Sequence, residues 1–216
     1  MLNLPYYMKP DGTPFEGYYQ NLISRRFSLF CKPDDPFVII DKEFELGYKS
    51  KEIKKKYMAG ITNKYDKIIN ELNGRNGFPK SIEQPGTQCD FVALTPQGDV
   101  VLLELKRHED TQKIYLSPIQ AGKYYDLTRQ YMDSYPIEFN DSIIKMVKQK
   151  VNLGILKPKF ELPDKLSGVL KAAVVVGGEP SQTARNNYKI VREKVGLDIP
   201  IYKCNKECKI EPITEF

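Results

Sequence analysis

Asp90 and Glu104 stand on two apolar runs that flank Pro96-Gln97-Gly98, and Lys106 follows Glu104 by two residues. A three-residue link ending in glycine suits a β-hairpin. If Gln97 is the middle of that turn, Asp90 lies directly opposite Glu104. Side chains so paired have Cβ atoms roughly 4.5–5.5 Å apart. Lys106 points to the same face as Glu104, because strand side chains alternate. Two carboxylates this close repel unless a proton or a cation sits between them. An oxygen-preferring ion such as Mg²⁺ (or Mn²⁺) is the natural occupant, and the Leu105 carbonyl can add a third ligand. Such an ion polarises a phosphoryl oxygen and makes its bound water more acidic. Lys106 can position that water or stabilise developing negative charge. Val100–Leu103 and Leu105 are continuously apolar, so this strand is expected to be buried on both faces. A charge at the end of such a strand is costly unless it is used or well paired.

The elements around the hairpin follow from periodicity. A helix is expected near Phe15–Phe30, and a short strand at Phe37–Ile40. Ile53, Tyr57, Ile61, Tyr65, Ile68 and Leu72 recur at helical spacing, with Ser50 as cap and Gly74 as stop. Lys80–Gln84 reads as a short strand, followed by strands at Gln88–Thr95 and Asp99–Lys106. Ser117-Pro118 opens a helix that runs to about Ser134, with proline at the first helical position. A further helical pattern spans about Asp141–Leu153. Leu170–Val176 is an apolar strand, Thr183–Val195 an amphipathic helix stopped by Gly196, and Ile199–Cys204 a last core strand. This order predicts an α/β fold with a mixed β-sheet flanked by helices.

Composition narrows the chemistry. The chain has 216 residues and one histidine, His108. A lone imidazole supplies no multi-histidine metal site, so a hydrolase built on this chain must work through carboxylates, lysine and an oxygen-bound metal. Cys31, Cys89, Cys204 and Cys208 contain no C-x-x-C pair, and free thiols are expected. Apolar runs are strand-length, too short to span a bilayer. Met1–Pro10 lacks a cationic start followed by an apolar run, so no export signal is expected. A cytoplasmic or nucleoid-associated location follows. Net charge is +5, which permits a polyanionic partner. Lys54, Lys55 and Lys56 crowd the start of the helix that Ser50 caps.

Taken together, these residues resemble the PD-(D/E)xK nuclease superfamily. Its signature is an aspartate at the start of one strand and Glu-x-Lys at the end of the next. Here these are Cys89-Asp90, with cysteine in place of the proline, and Glu104-Leu105-Lys106. Gln120-Ala121-Gly122-Lys123-Tyr124 has the Gln-x-x-x-Tyr form of the branch containing recombination helicase–nucleases and CRISPR-associated exonucleases. Positions four apart share a helix face. The resemblance implies a restriction-endonuclease-like fold over residues 49–216, with 1–48 as an N-terminal extension packed on it. It implies Mg²⁺-dependent cleavage of nucleic acid, DNA in preference to RNA, with a homodimer allowed. Asp90, Glu104, Lys106, Gln120 and Tyr124 would be catalytic, and Asp90, Glu104 and Leu105 would hold metal. The superfamily also places an acid on the helix before the sheet. Asp66 falls at a suitable distance from Gly77-Phe78, with Glu71 as competitor and Glu16 as a remote third. Lys54, Lys55 and Arg129 would meet phosphates.

Two other readings use the same sequence. One is a non-catalytic nucleic-acid-binding module on this fold. The other is a nucleotide- or phosphate-binding α/β protein, for which Val174-Val175-Val176-Gly177-Gly178 would lead into a helix near Ser181 as a phosphate cradle. That run lacks the spaced-glycine and Gly-Lys-Ser/Thr fingerprints.

Overall fold

A computed structural model describes residues 16–48, 50–86 and 88–214. Phe15 and the segment on which the export expectation rests lie outside them. The elements run α1 (Glu16–Arg26), β1 (Val38–Phe44), α2 (Lys51–Leu72), β2 (Cys89–Leu94), β3 (Val100–Arg107), α3 (Thr111–Ser134), α4 (Pro136–Asn152), β4 (Leu170–Gly177), α5 (Gln182–Val195), β5 (Ile201–Cys204) and β6 (Ile210–Pro212). The strands form one mixed sheet in the order β1-β2-β3-β4-β5-β6. β1–β2–β3 is an antiparallel meander, β3–β4 and β4–β5 are parallel, and β6 returns antiparallel. The expected α/β class with a mixed sheet and flanking helices is what the chain adopts.

Local chemistry sets the boundaries. Ser50 caps α2 by accepting the Ile53 N–H, and Ser181 caps α5 by accepting the Ala184 N–H. Gly196 ends α5 at φ 73°, a conformation glycine adopts without a Cβ penalty. In the hairpin, Gly98 takes φ 87° and donates its N–H to the Thr95 carbonyl.

Four expectations change. Residues 38–44 are not appended to the sheet but are its first strand, and α1 covers the second face, so 16–48 belong to the fold. Lys80–Gln84 is irregular, because Pro79 and Pro85 flank it and the Ile82 N–H goes to the Asn73 side chain. α3 begins at Thr111, six residues before Ser117; the Ser117 hydroxyl donates back to the Ile114 carbonyl from inside the helix. Pro118 needs no N–H partner, and burial of its neighbours holds the helix through it. α4 begins at Pro136, with proline in its first turn. β6, too short to show a period, had no sequence signal.

The sheet is buried on both faces. Val92, Leu94, Val100, Leu102, Ala172 and Val174 pack under α2, α3, α4 and α5. Phe91, Ala93, Val101, Leu103, Leu105, Ala173 and Val175 face α1, through Tyr19, Ile23 and Phe27. α3 lies closest over the sheet. At Gly122 a Cβ would come within 2.7 Å of both the Tyr65 hydroxyl oxygen and a Val195 methyl. Tyr65 is fully buried and its hydroxyl donates to Asp126. Gly122→Ala is therefore expected to destabilise by about 1–3 kcal/mol through overpacking. A thermal melt checks it, with a fall of roughly 2–4 °C per kcal/mol for a chain this size.

Candidate active site

The hairpin register is the one expected from a turn centred on Gln97: Phe91 pairs with Leu103, Val92 with Leu102 and Leu94 with Val100. The ladder stops at Phe91–Leu103. Beyond it the Asp90 side chain replaces a backbone partner, accepting the Leu105 N–H at 2.7 Å. In extended backbone a residue's N–H and C=O point to the same edge. The Leu105 carbonyl therefore also faces the Asp90 side, away from β4.

Val100 and Leu102 point to the four-helix face, so alternation sends Glu104 and Lys106 there too. Glu104 is 1% exposed and Lys106 8%. The Lys106 ammonium donates to Glu104 Oε1. Glu104 Oε2 is buried and has no hydrogen-bond partner. Burial pushes the Glu104 carboxyl up to about 8; Lys106 opposes this, and Asp90 adds to it. Asp90 is pushed up by burial as well, against the pull of Lys106 and the Leu105 N–H. Lys106 is itself raised: burial opposes its charge, but Glu104, Asp90 and Glu16 outweigh it.

Glu16, at the start of α1, is the third acid that reaches this cluster. Burial raises its carboxyl, Lys106 lowers it, and Asp90 raises it further. Asp66 and Glu71 lie elsewhere. Asp66 accepts from Gln84 and acts on Lys123, and Glu71 pairs with Lys194 across to α5. Sequence distance favoured Asp66 because it was counted along α2. The structure instead brings the first helix of the chain to the sheet edge. Glu43, near the end of β1, was not singled out from sequence. Its charge acts on Asp90, and it sits at φ 52°, a region that L-residues other than asparagine and aspartate rarely adopt.

α3 carries the other two expected site residues. Gln120 Nε2 donates to the Tyr124 hydroxyl at 2.5 Å, one helical turn on. Tyr124 is 4% exposed. Its hydroxyl is pushed up by burial and then by the negative charge of Glu104, which places the ring beside that carboxyl. A cleft of about 600 Å³ opens onto the cluster, lined by Lys106, Lys113, Leu116 and Gln120 and by the loop from Ser81 to Gly86.

The expected phosphate contacts separate. Lys54 pairs with Glu45 at 2.7 Å, and Lys55 is exposed on the first turns of α2. Arg129 reaches the Gly168 carbonyl at 3.2 Å, just ahead of β4 and at the opposite end of the sheet from Glu104. His108 Nδ1 meets the Gly177 carbonyl at 2.9 Å.

No family model, curated protein or solved structure matches this chain. The site therefore rests on its own chemistry.

Among the described residues, no three His, Cys, Asp or Glu side chains gather as a metal-holding group. The donor set is two carboxylates and one carbonyl edge, with Glu16 approaching. It fits a hard divalent ion in one respect above all: Glu104 Oε2 is an acceptor buried without a donor. The four thiols do not form a cluster, since Cys89 packs on the four-helix face and Cys204 and Cys208 on the other.

The glycine pair at the end of β4 has a packing role. A Cβ at Gly177 would lie 2.5 Å from the Tyr19 ring, and one at Gly178 would lie 2.8 Å from the His108 ring. The Gly178 N–H already donates to the Cys204 carbonyl, so it is not offered to a phosphate.

No helix among the described residues is long and apolar enough to cross a membrane.

Proposed function

We propose that this chain is a Mg²⁺-dependent nuclease with a restriction-endonuclease-like fold, of the PD-(D/E)xK type, acting on DNA in the cytoplasm. The observation that carries the reading is the convergence of Asp90, Glu104 and Lys106 at one end of β2–β3, with one oxygen of the buried Glu104 unpartnered. The element order supports it: α1, β2–β3 and α3 carry an acid, the two strand carboxylates, the lysine and the Gln120–Tyr124 pair, and Lys106 and Gln120 line one cleft.

Asp90, Glu104 and the Leu105 carbonyl would hold the ion, with Glu16 a further carboxylate that acts on Glu104. When bound, the ion supplies Lewis acidity toward a phosphodiester and its water. Lys106 carries its ammonium on the cleft wall, where it meets a phosphate oxygen and orients the attacking water. Gln120 and Tyr124, bonded to each other on α3, would support the site from the helix side. A second copy of the chain would be needed to cut both strands of a duplex in one encounter.

The direct test is incubation of the purified chain with Mg²⁺ or Mn²⁺ and linear, circular, single- and double-stranded DNA, with RNA alongside. Cleavage of none of them sinks the reading. Binding without cleavage or metal uptake would favour a non-catalytic module.

The third acid is separately testable. Glu16→Gln is expected to raise the apparent Mg²⁺ requirement by roughly 10–100-fold, as loss of a supporting ligand does. Asp66→Asn should leave the Mg²⁺ dependence of the rate near wild type. The reverse result would return the role to α2.

A further inference from the structure

We infer that the tyrosines at the junction of α2, α3 and α4, with the lysines of the α2 N-terminus, form a docking surface for single-stranded nucleic acid, set along α3 from the cleft. This rests on the nuclease reading and adds a second contact region to it. Tyr48, Tyr57, Tyr131 and Tyr135 form a continuous ring cluster, with centroids 5.9 Å apart for Tyr48–Tyr57, 6.3 Å for Tyr48–Tyr131, 6.5 Å for Tyr57–Tyr135 and 5.2 Å for Tyr131–Tyr135. All four are half-buried, and Tyr131 also packs against the core. The Tyr48 hydroxyl is buried without a partner, a polar group the fold itself does not satisfy.

Ammonium groups stand next to these rings, alongside Glu45, which acts on Tyr48, and Glu138, which acts on Tyr135. Lys51, Lys55 and Lys56 are exposed and have no ion-pair partner among the described residues, and Lys56 acts electrostatically on the Tyr57 hydroxyl. Asp133, the nearest acid on α3, is met by Arg129 at 3.7 Å. Aromatic faces beside unpaired ammonium groups match a strand whose bases stack and whose phosphates are held. A duplex hides its base faces, so a single strand is the occupant that uses both features.

The surface and the site share one helix, α3. Tyr48 and Lys54 line a small cavity whose far wall is Cys89 and Tyr124, next to Asp90 and Glu104. From Gln120 to Tyr131 is eleven residues of α3, about 16 Å of helix rise. One extended strand covers that span within the roughly 4–16 nucleotides typical of a single-strand site.

The test is fluorescence anisotropy of the full chain with labelled oligothymidylate in EDTA, where cleavage is off. The Tyr57→Ala/Tyr135→Ala double variant is expected to bind roughly 10-fold or more weakly, while Tyr57→Phe/Tyr135→Phe, which keeps both rings, stays near wild type. Lys51→Gln/Lys55→Gln/Lys56→Gln should flatten the salt dependence by about two units of slope, at about 0.7 per phosphate contact. No binding by wild type, unchanged binding by the double alanine variant, or equally tight binding of a duplex of the same length each overturns the inference. The two readings fail separately. Oligothymidylate binding that depends on the tyrosines, in a chain that never cuts, leaves the surface and removes the nuclease. Cutting in a chain whose binding ignores the tyrosines does the reverse.

Discussion

Glu104→Gln and Lys106→Met should each lower metal-dependent cleavage by about 10²–10⁴-fold while leaving the chain folded. The two substitutions remove different things. Glutamine keeps the shape of Glu104 and an acceptor for the Lys106 ammonium, but takes away the charge that would attract a divalent ion. Its loss should appear in the apparent Mg²⁺ requirement as well as in the rate. Methionine keeps the stem length of Lys106 and loses the ammonium; metal affinity should hold while kcat falls. Lys106→Arg is no conservative rescue, because the planar guanidinium does not fit a site whose lysine is 8% exposed. His108→Ala supplies the contrast. Its ring closes on Gly177 and Gly178 and touches neither carboxylate, so its rate should stay within about three-fold of wild type, well short of a general-acid–base loss. If Lys106→Met cuts as fast as wild type, the proposed role of the ammonium is wrong. If His108→Ala is the damaging change, the chemistry lies at the end of β4 instead.

The part of this site legible in sequence was the part fixed by strand geometry. Period-two alternation and a three-residue turn predict Asp90, Glu104 and Lys106 together with no knowledge of the rest of the chain, and the register follows that turn as far as Phe91–Leu103. Gln120 and Tyr124 were legible as a helical pair, although the start of their helix was not. A proline preceded by serine looks like a beginning, and only burial under the sheet explains why α3 continues through it. The third acid was not legible, because its place depends on chain topology. Glu16 reaches the cluster across the sheet edge from a helix on the opposite face, while Asp66 sits on a helix that the same topology directs toward Gln84. Arg129 fails as a neighbour of the site for a related reason. Two residues on one helix can sit at opposite ends of a sheet, and nine residues of α3 separate Arg129 from Gln120 by about 13 Å.

In metal-free buffer the stability of the chain should fall as pH rises through the window from about 4.5 to about 8, and saturating divalent metal should flatten that slope. Glu104 titrates near its ordinary value of 4.5 when unfolded and near about 8 when folded. Between those values the folded chain holds a proton that the unfolded chain has lost. Stability changes with pH in proportion to protons bound unfolded minus protons bound folded, which is negative here. The Glu104 contribution is thus fully present below 4.5 and is lost as pH rises through its folded value. Asp90 and Glu16 are shifted in the same sense by the same burial. Lys106 is raised from an ordinary value of 10.5, so its contribution fades only above the window. A divalent ion competes with the Glu104 proton for the same oxygens. Its apparent affinity should therefore climb by up to about ten-fold per pH unit below about 8 and level off above. Thermal melts of wild type and Glu104→Gln, with EDTA and with millimolar Mg²⁺, read both effects as differences between the two proteins. Carboxylates that do not interact with Glu104 cancel in that comparison. Calorimetry in two buffers of unlike ionisation enthalpy would count the proton released on binding. Parallel pH slopes for the two proteins, or Mg²⁺ binding at neutral pH with no proton released, would mean that Glu104 is ionised in the empty site and that the Lys106 ammonium outweighs its burial.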